Sequence, residues 1–530
     1  MPSCRKKHPV HNLDRIIGVF AVLLLFSCSG REDGGANLSS VTVNTNTLIL
    51  PPGGSARIEF SVNDPDFEFN HLVSSHGCQV KLMLSGGLDP EEFGLESVEK
   101  ADGAGRYCAT IADSGTGESF ERSVSVAVYT APGSSEYVSS RPFTVKNEND
   151  PAGSVKTGLP IVYVNTISGG NISSKTEFAD AEIYIRGTSS LPDMETAPCR
   201  IRGRGNTTWY WPKKPYLIAL DKRQSVLGMP EHKRWVLLAN FMDRTLMRNM
   251  VAMKVSSMTR LAWTPRCVPV ELVLNGKHQG TYLLIEQVRV DENRVNISET
   301  DGYIFELDFH YDNAIQWKDH GIPFSVKHPD EDDITQEQIS YAKSYIAEVA
   351  GAIYGSSFSN PQNGYAKYLD VDSFIDYWIV YEVMTNHELG NPGSVMFHKD
   401  PAGLLTAGPC WDFDWGVLSF YTSGGEYGLV NGNAIWYARL FQDPDFKAKV
   451  KARFQELKPQ LETVPDYMDE CEALLEKSAG LNFKMWNPAE DKSMNGGNII
   501  NGDENLSFHD AVKRLKSNYL KHLQIIETKL

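Results

Sequence analysis

The chain has 530 residues and a formal net charge of −16, with 51 lysine and arginine residues against 67 aspartate and glutamate residues. This length predicts roughly two to four domains and a sizeable hydrophobic core. The acidic balance argues against a nucleic-acid partner, but it permits a local basic pocket for an anionic ligand.

The N-terminus has the features of an export signal. A basic stretch, RKK, precedes the apolar run IIGVFAVLLLF at residues 16–26, which is too short to span a membrane. The run ends in LFSC and resembles a bacterial lipobox, so we expect a lipoprotein signal peptide over residues 1–27 and a lipid on Cys28. The alternative is an ordinary signal peptide followed by an incidental cysteine.

The residues after Cys28 predict where such a lipoprotein resides. Residues 28–37 form a polar tether, in which Glu32 and Asp33 resemble the acidic signal that sends Bacteroidota lipoproteins to the cell surface. We therefore expect an outer-membrane lipoprotein that is held to the membrane by its N-terminal lipid and exposed at the cell surface.

The spacing of the cysteines gives no zinc motif, because none forms a CxxC pair. Apart from the two N-terminal ones, the cysteines are Cys78, Cys108, Cys199, Cys267, Cys410 and Cys471. In an exported protein, Cys78 and Cys108 are the expected disulfide partners because both fall in one small domain. Independent thiols throughout are the equal alternative.

Two domains are expected after the tether. Residues 38–146 contain short runs of alternating apolar and polar residues separated by turn residues, which predicts an immunoglobulin-like β-sandwich. Residues 147–158 are polar with Pro and Gly, as in a linker. Residues 159–530 mix strand and helix patterns and end in a mostly helical part, so the expected fold class is α+β.

Three segments of the second domain carry specific signals. MDRTLMRNMVAMKVSSMT has apolar residues at helical spacing, with Asp243 as the expected N-cap. VPVELVLNGKHQGTYLLIEQV predicts a hairpin around Asn275 and Gly276. The acidic run PDEDD is interpreted as the start of an amphipathic helix rather than a metal site.

The segment RIRGRGNTTWYWPKKPY is the densest basic cluster of this acidic chain. It contains Arg200, Arg202 and Arg204 on one face at strand spacing, followed by Lys213 and Lys214. Such a cluster, with glycines that leave the backbone open, predicts a receptacle for phosphate oxygens. The alternative is that these cations pair with carboxylates elsewhere in the chain.

The segment WDFDWG is the acidic complement. Asp412 and Asp414 lie between Trp411 and Trp415, and two carboxylates this close in a dry site need a cation or a proton. Such a pair can hold Mg²⁺ together with phosphates. Paired carboxylates also suit glycoside hydrolysis, and DxD occurs in glycosyltransferases that bind sugar-nucleotides.

Four segments in order resemble the CotH (spore-coat) kinase family over about residues 160–530. They are RIRGRGNTTWYWPKKPYLIAL, LGMPEHKRWVLLANFMDRTLMRNMVA, VELVLNGKHQGTYLLIEQV and GPCWDFDWG. The resemblance implies an atypical protein-kinase-like fold that transfers phosphate from ATP to protein Ser or Thr with Mg²⁺ or Mn²⁺.

The resemblance also implies roles for single residues. Lys213 or Lys214 would bind phosphate, and Asp412 would bind the metal with Asp414 as a second carboxylate. Glu286 would lie near the adenine, at the end of a strand that enters the hinge.

MDRTLMRN resembles a helix of the family that faces the nucleotide. Asp243, Arg248 and Asn249 match its polar positions, with helix capping and packing as the alternative for all three.

The chain departs from the family between its last two motifs. The family has an N-x-D element, with the presumed catalytic aspartate, and then a metal-binding asparagine, whereas this chain reads TNHELGNPGSVMFHKD. The asparagine position falls on Ser394 and the aspartate position on or near Leu389. Glu388 or His387 could replace the catalytic base, or Asn391 could contact the metal.

The function expected is therefore an exported CotH-like kinase, with Arg202, Arg204 and Lys214 holding phosphates and Glu388 orienting the acceptor hydroxyl. Two alternatives stay open. The altered segment favours a catalytically impaired ligand-binding or adhesion module. The tryptophans and the carboxylate pair also suit a glycan-active enzyme.

Overall fold

A computed structural model describes residues 38–50, 55–63, 80–84, 89–90, 92–101, 105–113, 120–129, 135–147, 157–310, 313–419, 428–490, 501–503 and 505–530. The predicted signal peptide, the lipidation site Cys28, the tether, most of the predicted linker and Cys78 lie outside these residues. The structure therefore describes neither the lipid anchor nor the expected disulfide.

The N-terminal domain consists of two sheets that share one apolar core. Alternation along β3 and β6 buries every second residue, as expected for strands with one face in the core. One sheet has the order β1-β3-β6-β5 and the other the order β2-β9-β7-β4, with β8 paired to β7. The strands are β1 (Val41–Val43), β2 (Thr47–Ile49), β3 (Ser55–Val62), β4 (Val80–Leu84), β5 (Phe93–Lys100), β6 (Arg106–Asp113), β7 (Phe120–Tyr129), β8 (Tyr137–Ser139) and β9 (Phe143–Asn147).

The second domain begins with a closed barrel in the order β10-β11-β12-β13-β14-β16-β15, which a parallel pairing of β10 with β15 completes. The predicted hairpin is present, and Asn275 and Gly276 both have positive φ, 49° and 70°, as a two-residue turn of this hand requires. The strands are β10 (Ile161–Thr166), β11 (Ala179–Arg186), β12 (Met194–Gly203), β13 (Tyr216–Val226), β14 (Met229–Leu238), β15 (Cys267–Leu274) and β16 (Lys277–Glu286).

A five-stranded sheet and helices complete the domain, which confirms the α+β class. The sheet has the order β18-β19-β17-β20-β21, from β17 (Tyr303–Leu307), β18 (Gln316–Asp319), β19 (Ile322–His328), β20 (Val395–Lys399) and β21 (Thr406–Ala407). The described α-helices are α1 (Thr207–Tyr210), α2 (Arg248–Ser257), α3 (Gln336–Tyr354), α4 (Val371–Val383), α5 (Tyr437–Leu440), α6 (Pro444–Leu461), α7 (Val464–Met485) and α8 (Phe508–Lys529).

Local capping explains where several helices begin. Thr335 and Gln338 form a capping box at α3, directly after the acidic run, while Asp370 and Ser507 cap α4 and α8. Helix α2 begins at Arg248 and not directly after Asp243, because residues 244–247 form turns in which Leu246 has a φ of 56°. Among the described residues, no helix is both long enough and apolar enough to cross a membrane.

The two domains touch where the sandwich meets the barrel. The backbone N–H of Arg57 on β3 donates to Glu182 Oε2 on β11 at 2.7 Å, and Asn165 Nδ2 donates to the carbonyl of Ile49 at 3.2 Å. Burial raises the pKa of Glu182 to about 7, and the contacts with Arg57 oppose this shift.

Candidate functional site

The basic segment and the carboxylate segment lie against each other. The guanidinium carbon of Arg204 is 5.6 Å from the centre of the Trp411 ring, which is a cation–π contact. The rings of Trp211 and Trp415 stack with 6.2 Å between their centroids. Two stretches far apart in the sequence thus form the walls of one site.

Asp412 and Asp414 interact directly through a hydrogen bond between their carboxyl groups. Burial raises the pKa of both, and the charge of Asp412 raises that of Asp414 further. Arg204 opposes the shift at Asp412. Two carboxyls in this situation hold one proton between them or accept a cation in its place.

The backbone at Asp412 is left-handed, with a φ of 65°. Ser394, which occupies the position of the family asparagine, is also left-handed with a φ of 55°, and its hydroxyl donates to Asp412 Oδ2 at 3.5 Å. Such conformations in non-glycine residues persist only where the surroundings enforce them, and they cluster at functional sites.

Asn501 fixes the main chain that carries the second carboxylate. Its Oδ1 accepts from the N–H of Gly416 at 2.9 Å, and its Nδ2 donates to the carbonyls of Asp414 at 3.1 Å and Met242 at 3.0 Å. The sequence does not predict this role, because an asparagine in an Asn- and Gly-rich stretch carries no local signal of it.

Two further asparagines hold the main chain of the motif. Asn249 on α2 accepts from the N–H of Phe413 at 2.8 Å, and Asn386 Nδ2 donates to the carbonyl of Asp412 at 3.5 Å. Asn386 Oδ1 also accepts from the N–H of Glu388 at 2.9 Å. The segment that departs from the family is thereby connected to the carboxylate pair.

Glu388 belongs to the same acidic site. Burial, together with the charges of Asp412, Asp414 and Asp308, raises its pKa well above the usual range. Its Oε2 is buried and makes no hydrogen bond within the part of the chain that the structure describes. Asn391, by contrast, is exposed, and His387 packs on Gly416.

The two lysines have other partners. Lys213 is fully buried, donates to the Thr281 carbonyl and, at 2.8 Å, to Asn482 Oδ1, and burial lowers its pKa to about 7. Lys214 donates to the Trp209 carbonyl at 2.7 Å and lies over the Trp209 ring. The structure thus brings neither ammonium group to Asp412, and their phosphate-binding role stays a prediction.

Arg248 is bound from both sides by carboxylates. It is fully buried, forms ion pairs with Asp243 and, at 2.6 Å, with Asp503, and donates from Nε to the Val417 carbonyl at 2.7 Å. Its donors are therefore used to hold the chain that follows the WDFDWG segment, and they are not available to a ligand.

Glu286, the last residue of β16, is also bound by an arginine. It accepts from both the backbone N–H and Nε of Arg266 at 2.9 Å. The structure does not connect it to the carboxylate pair, and its predicted place near the adenine stays untested.

Arg202 points to a different set of neighbours. Its guanidinium carbon lies 5.1 Å from the centre of the Phe178 ring, and its Nη1 donates to the carbonyl of Lys175. Gly203, expected to leave the backbone open, instead packs under the ring of Trp209, where a Cβ atom would clash.

The donor set fits a hard divalent cation. The carboxylate oxygens of Asp412 and Asp414 are the ligands that Mg²⁺ or Mn²⁺ prefers, and Mg²⁺ commonly binds through one or two carboxylates plus phosphates and water. Glu388 Oε2, which makes no hydrogen bond within the described residues, is a further oxygen that interacts electrostatically with this pair. Among the described residues, no three His, Cys, Asp or Glu side chains form a complete metal cage.

Comparisons with known proteins point to one family. The family model described as CotH kinase protein matches residues 201–525. No curated protein matches the chain.

Two solved structures of the surface-layer protein SbsC resemble the chain only weakly. Its domains 5–6 show 11% identity and a TM-score of 0.17, with 37% of this chain and 94% of that chain covered. Its domains 4–9 show 12% identity and a TM-score of 0.18, with 37% and 30% covered.

The family model spans all the segments that build the site, from β12 to α8. The chain therefore belongs to the CotH kinase family.

Proposed function

We propose that the chain is a protein kinase that transfers the terminal phosphate of ATP to serine or threonine of a protein acceptor with Mg²⁺ or Mn²⁺. The observation that carries this proposal is the position of Arg204 beside the Asp412–Asp414 pair. A cation for phosphate oxygens next to carboxylates for a metal is the arrangement that phosphoryl transfer requires. The family supports the same reaction class.

Each residue of the site has a separate task in this reaction. Arg204 binds phosphate oxygens, and Asp412 with Asp414 holds the metal, which neutralises phosphate charge when bound. As the acceptor oxygen bonds to the terminal phosphorus and the bond to ADP breaks, the hydroxyl proton passes to Glu388. The charge of the bound metal would lower the pKa of Glu388, so that its Oε2, which makes no hydrogen bond within the described residues, would be ionised and able to receive that proton.

The setting of this domain belongs to the same proposal. We propose that residues 159–530 have a kinase-like fold, that the sandwich is immunoglobulin-like, and that the chain is a lipoprotein of the outer membrane. The two sheets around one core support the second statement. The basic, apolar and LFSC segments support the third.

A non-catalytic nucleotide-binding module is the second candidate. Ser394 stands where the family has an asparagine, and both candidate phosphate-binding lysines are engaged elsewhere. Such a module would bind ATP with metal but would not turn it over.

Metal-dependent ATP turnover by the full chain tests the first candidate against the second. We expect turnover with Mg²⁺ or Mn²⁺, loss of turnover in Asp412→Asn, and retention in Asp469→Asn, which removes an exposed charge that pairs with Lys516. Binding without turnover would favour the second candidate. Ligand at about 100 times its Kd should stabilise the fold by roughly 2.7 kcal/mol, and absence of any shift would contradict both.

A further inference from the structure

Three arginines surround one phenyl ring on the barrel. The guanidinium carbons of Arg200, Arg202 and Arg234 lie 5.2, 5.1 and 5.5 Å from the centre of the Phe178 ring. Arg200 on β12 and Arg234 on β14 both stand opposite Ala219 on β13, so a small side chain separates the two guanidiniums. Three planar cations are therefore held within reach of one another.

A fourth arginine adds to the positive charge. Arg289 lies close enough to lower the pKa values of Arg202 and Arg234, although burial is the larger cause for both. Arg289 itself binds both oxygens of Asp330, at 2.7 and 2.9 Å. One carboxylate thus offsets part of the charge of four guanidiniums.

The other carboxylates nearby do not neutralise the cluster. Asp180 stands opposite Arg200 in the strand register, and Glu177 precedes Phe178. Yet none of the described carboxylates forms an ion pair with Arg200, Arg202 or Arg234. Like charges held this close repel each other unless an anion lies between them.

Arg202 also has an unused donor. Its Nε is buried and makes no hydrogen bond within the described residues, although its Nη1 donates to the Lys175 carbonyl. A buried donor without an acceptor is rare in a folded protein, and it points to a missing oxygen at this position.

We propose that Arg200, Arg202, Arg234 and Arg289 form a second binding site, which takes a phosphoryl group. The guanidinium fork matches phosphate oxygens, and a phosphomonoester carries about −1.5 to −2 charges at neutral pH. Free phosphate and phosphoserine share this chemistry.

The position of the cluster favours phosphoserine on the acceptor as the source. Arg202 is two residues from Arg204, which follows the end of β12 and contacts Trp411 next to the carboxylate pair, and two residues of extended chain span at most about 7 Å. An acceptor phosphorylated near its target serine could therefore contact both sites, so the enzyme would favour serine clusters that are already partly phosphorylated. This step alone rests on the proposed kinase function.

Binding to the full chain without nucleotide or metal tests the site independently of transfer. A fluorescent peptide is titrated in its phosphoserine and unphosphorylated forms, and inorganic phosphate is both added as competitor and titrated by itself in a calorimeter. The double variant Arg200→Gln/Arg234→Gln is compared with Arg106→Gln/Arg260→Gln, which removes two exposed arginines from ion pairs elsewhere. Circular dichroism verifies that both variants fold.

We expect the phosphorylated peptide to bind and the unphosphorylated peptide not to bind, and we expect inorganic phosphate to compete. The variant Arg200→Gln/Arg234→Gln should lose at least about tenfold in affinity for the phosphopeptide, whereas the control variant should not. Equal affinity of both variants, or no binding of either ligand, would overturn the site. Binding of phosphate without the phosphopeptide would overturn the acceptor as its source. Asp412→Asn should keep its affinity for the phosphopeptide. If the chain transfers no phosphate, the binding result therefore still stands.

Discussion

Arg204 lies over the ring of Trp411, and this contact joins the end of a barrel strand to the carboxylate motif. Burial lowers the pKa of Arg204, while the charges of Asp412, Glu306 and Asp414 oppose that shift. The charges of Asp412 and Asp414, which would also bind the metal, therefore favour the charged form of this guanidinium. Binding of phosphate and binding of metal should consequently depend on each other.

Arg248 should be needed for stability more than for ligand binding. Arg248→Met removes the close ion-pair partner of the buried Asp243 and Asp503, although Arg514 stays 3.9 Å from Asp503, so we expect a loss of about 3–5 kcal/mol in the free energy of unfolding. Urea denaturation measures this, with the exposed Arg260→Met as control. A loss below about 1 kcal/mol would show that Arg248 is free for another task.

Asp414 should destabilise the metal-free protein. Because the pKa of each partner is raised, stability of the wild type falls as pH rises through those pKa values. In the presence of a chelator at pH about 7.5, Asp414→Asn should increase the free energy of unfolding by about 1–3 kcal/mol. This increase should vanish in acid. The same variant should lose metal affinity. A loss of stability in the chelator would contradict a strained carboxylate pair.

The contact between the domains should depend on pH through Glu182. Its pKa is raised to about 7 in the fold, so the stability it contributes is present below about pH 4.5 and is lost as pH rises through about 7. Glu182→Gln should therefore be more stable than the wild type by at most about 3 kcal/mol above pH 7, and nearly equal to it in acid. Thermal or urea unfolding measures the difference, with the exposed Glu195→Gln as control. A pH-independent difference would refute this explanation.

Ser394 should tolerate the residue that the family carries. Its φ of 55° suits asparagine better than serine, so Ser394→Asn should preserve stability, whereas the β-branched Ser394→Val should lose about 1–2 kcal/mol. If the amide supplies a metal ligand, metal affinity measured by calorimetry should rise in Ser394→Asn. Weaker metal binding in that variant would show that the chain has lost the family geometry at this position.

Much of the fold followed from local patterns. The hairpin turn at Asn275 and Gly276, and helices α3, α4, α6 and α8, are signalled by turn residues, caps and apolar spacing. No local pattern predicts the barrel, because its closure pairs β10 with β15 across about a hundred residues of intervening chain. Helix α7 lay in a region expected to be helical but had no distinct signal of its own.

The site was less visible in the sequence than the fold. Charge pattern singled out Arg204, Asp412 and Asp414, and the family resemblance pointed to Glu388; the structure brings these residues together. Lys213 carried the same signal, yet its ammonium group is buried against α7, because the chain turns between Arg204 and β13. Of the asparagines that hold the motif, the family resemblance indicated Asn249. Asn386 and Asn501 carried no such signal, because they act on the main chain.

Coupling between Arg204 and Asp412 in the binding of a non-hydrolysable ATP analogue with Mn²⁺ tests the central claim most directly. Calorimetry on the wild type, Arg204→Gln, Asp412→Asn and the double variant gives a double-mutant cycle. We predict that each single variant loses at least about tenfold in affinity and that the double variant loses clearly less than the sum of the two free-energy changes. Strictly additive losses, or wild-type affinity in either single variant, would contradict a shared site.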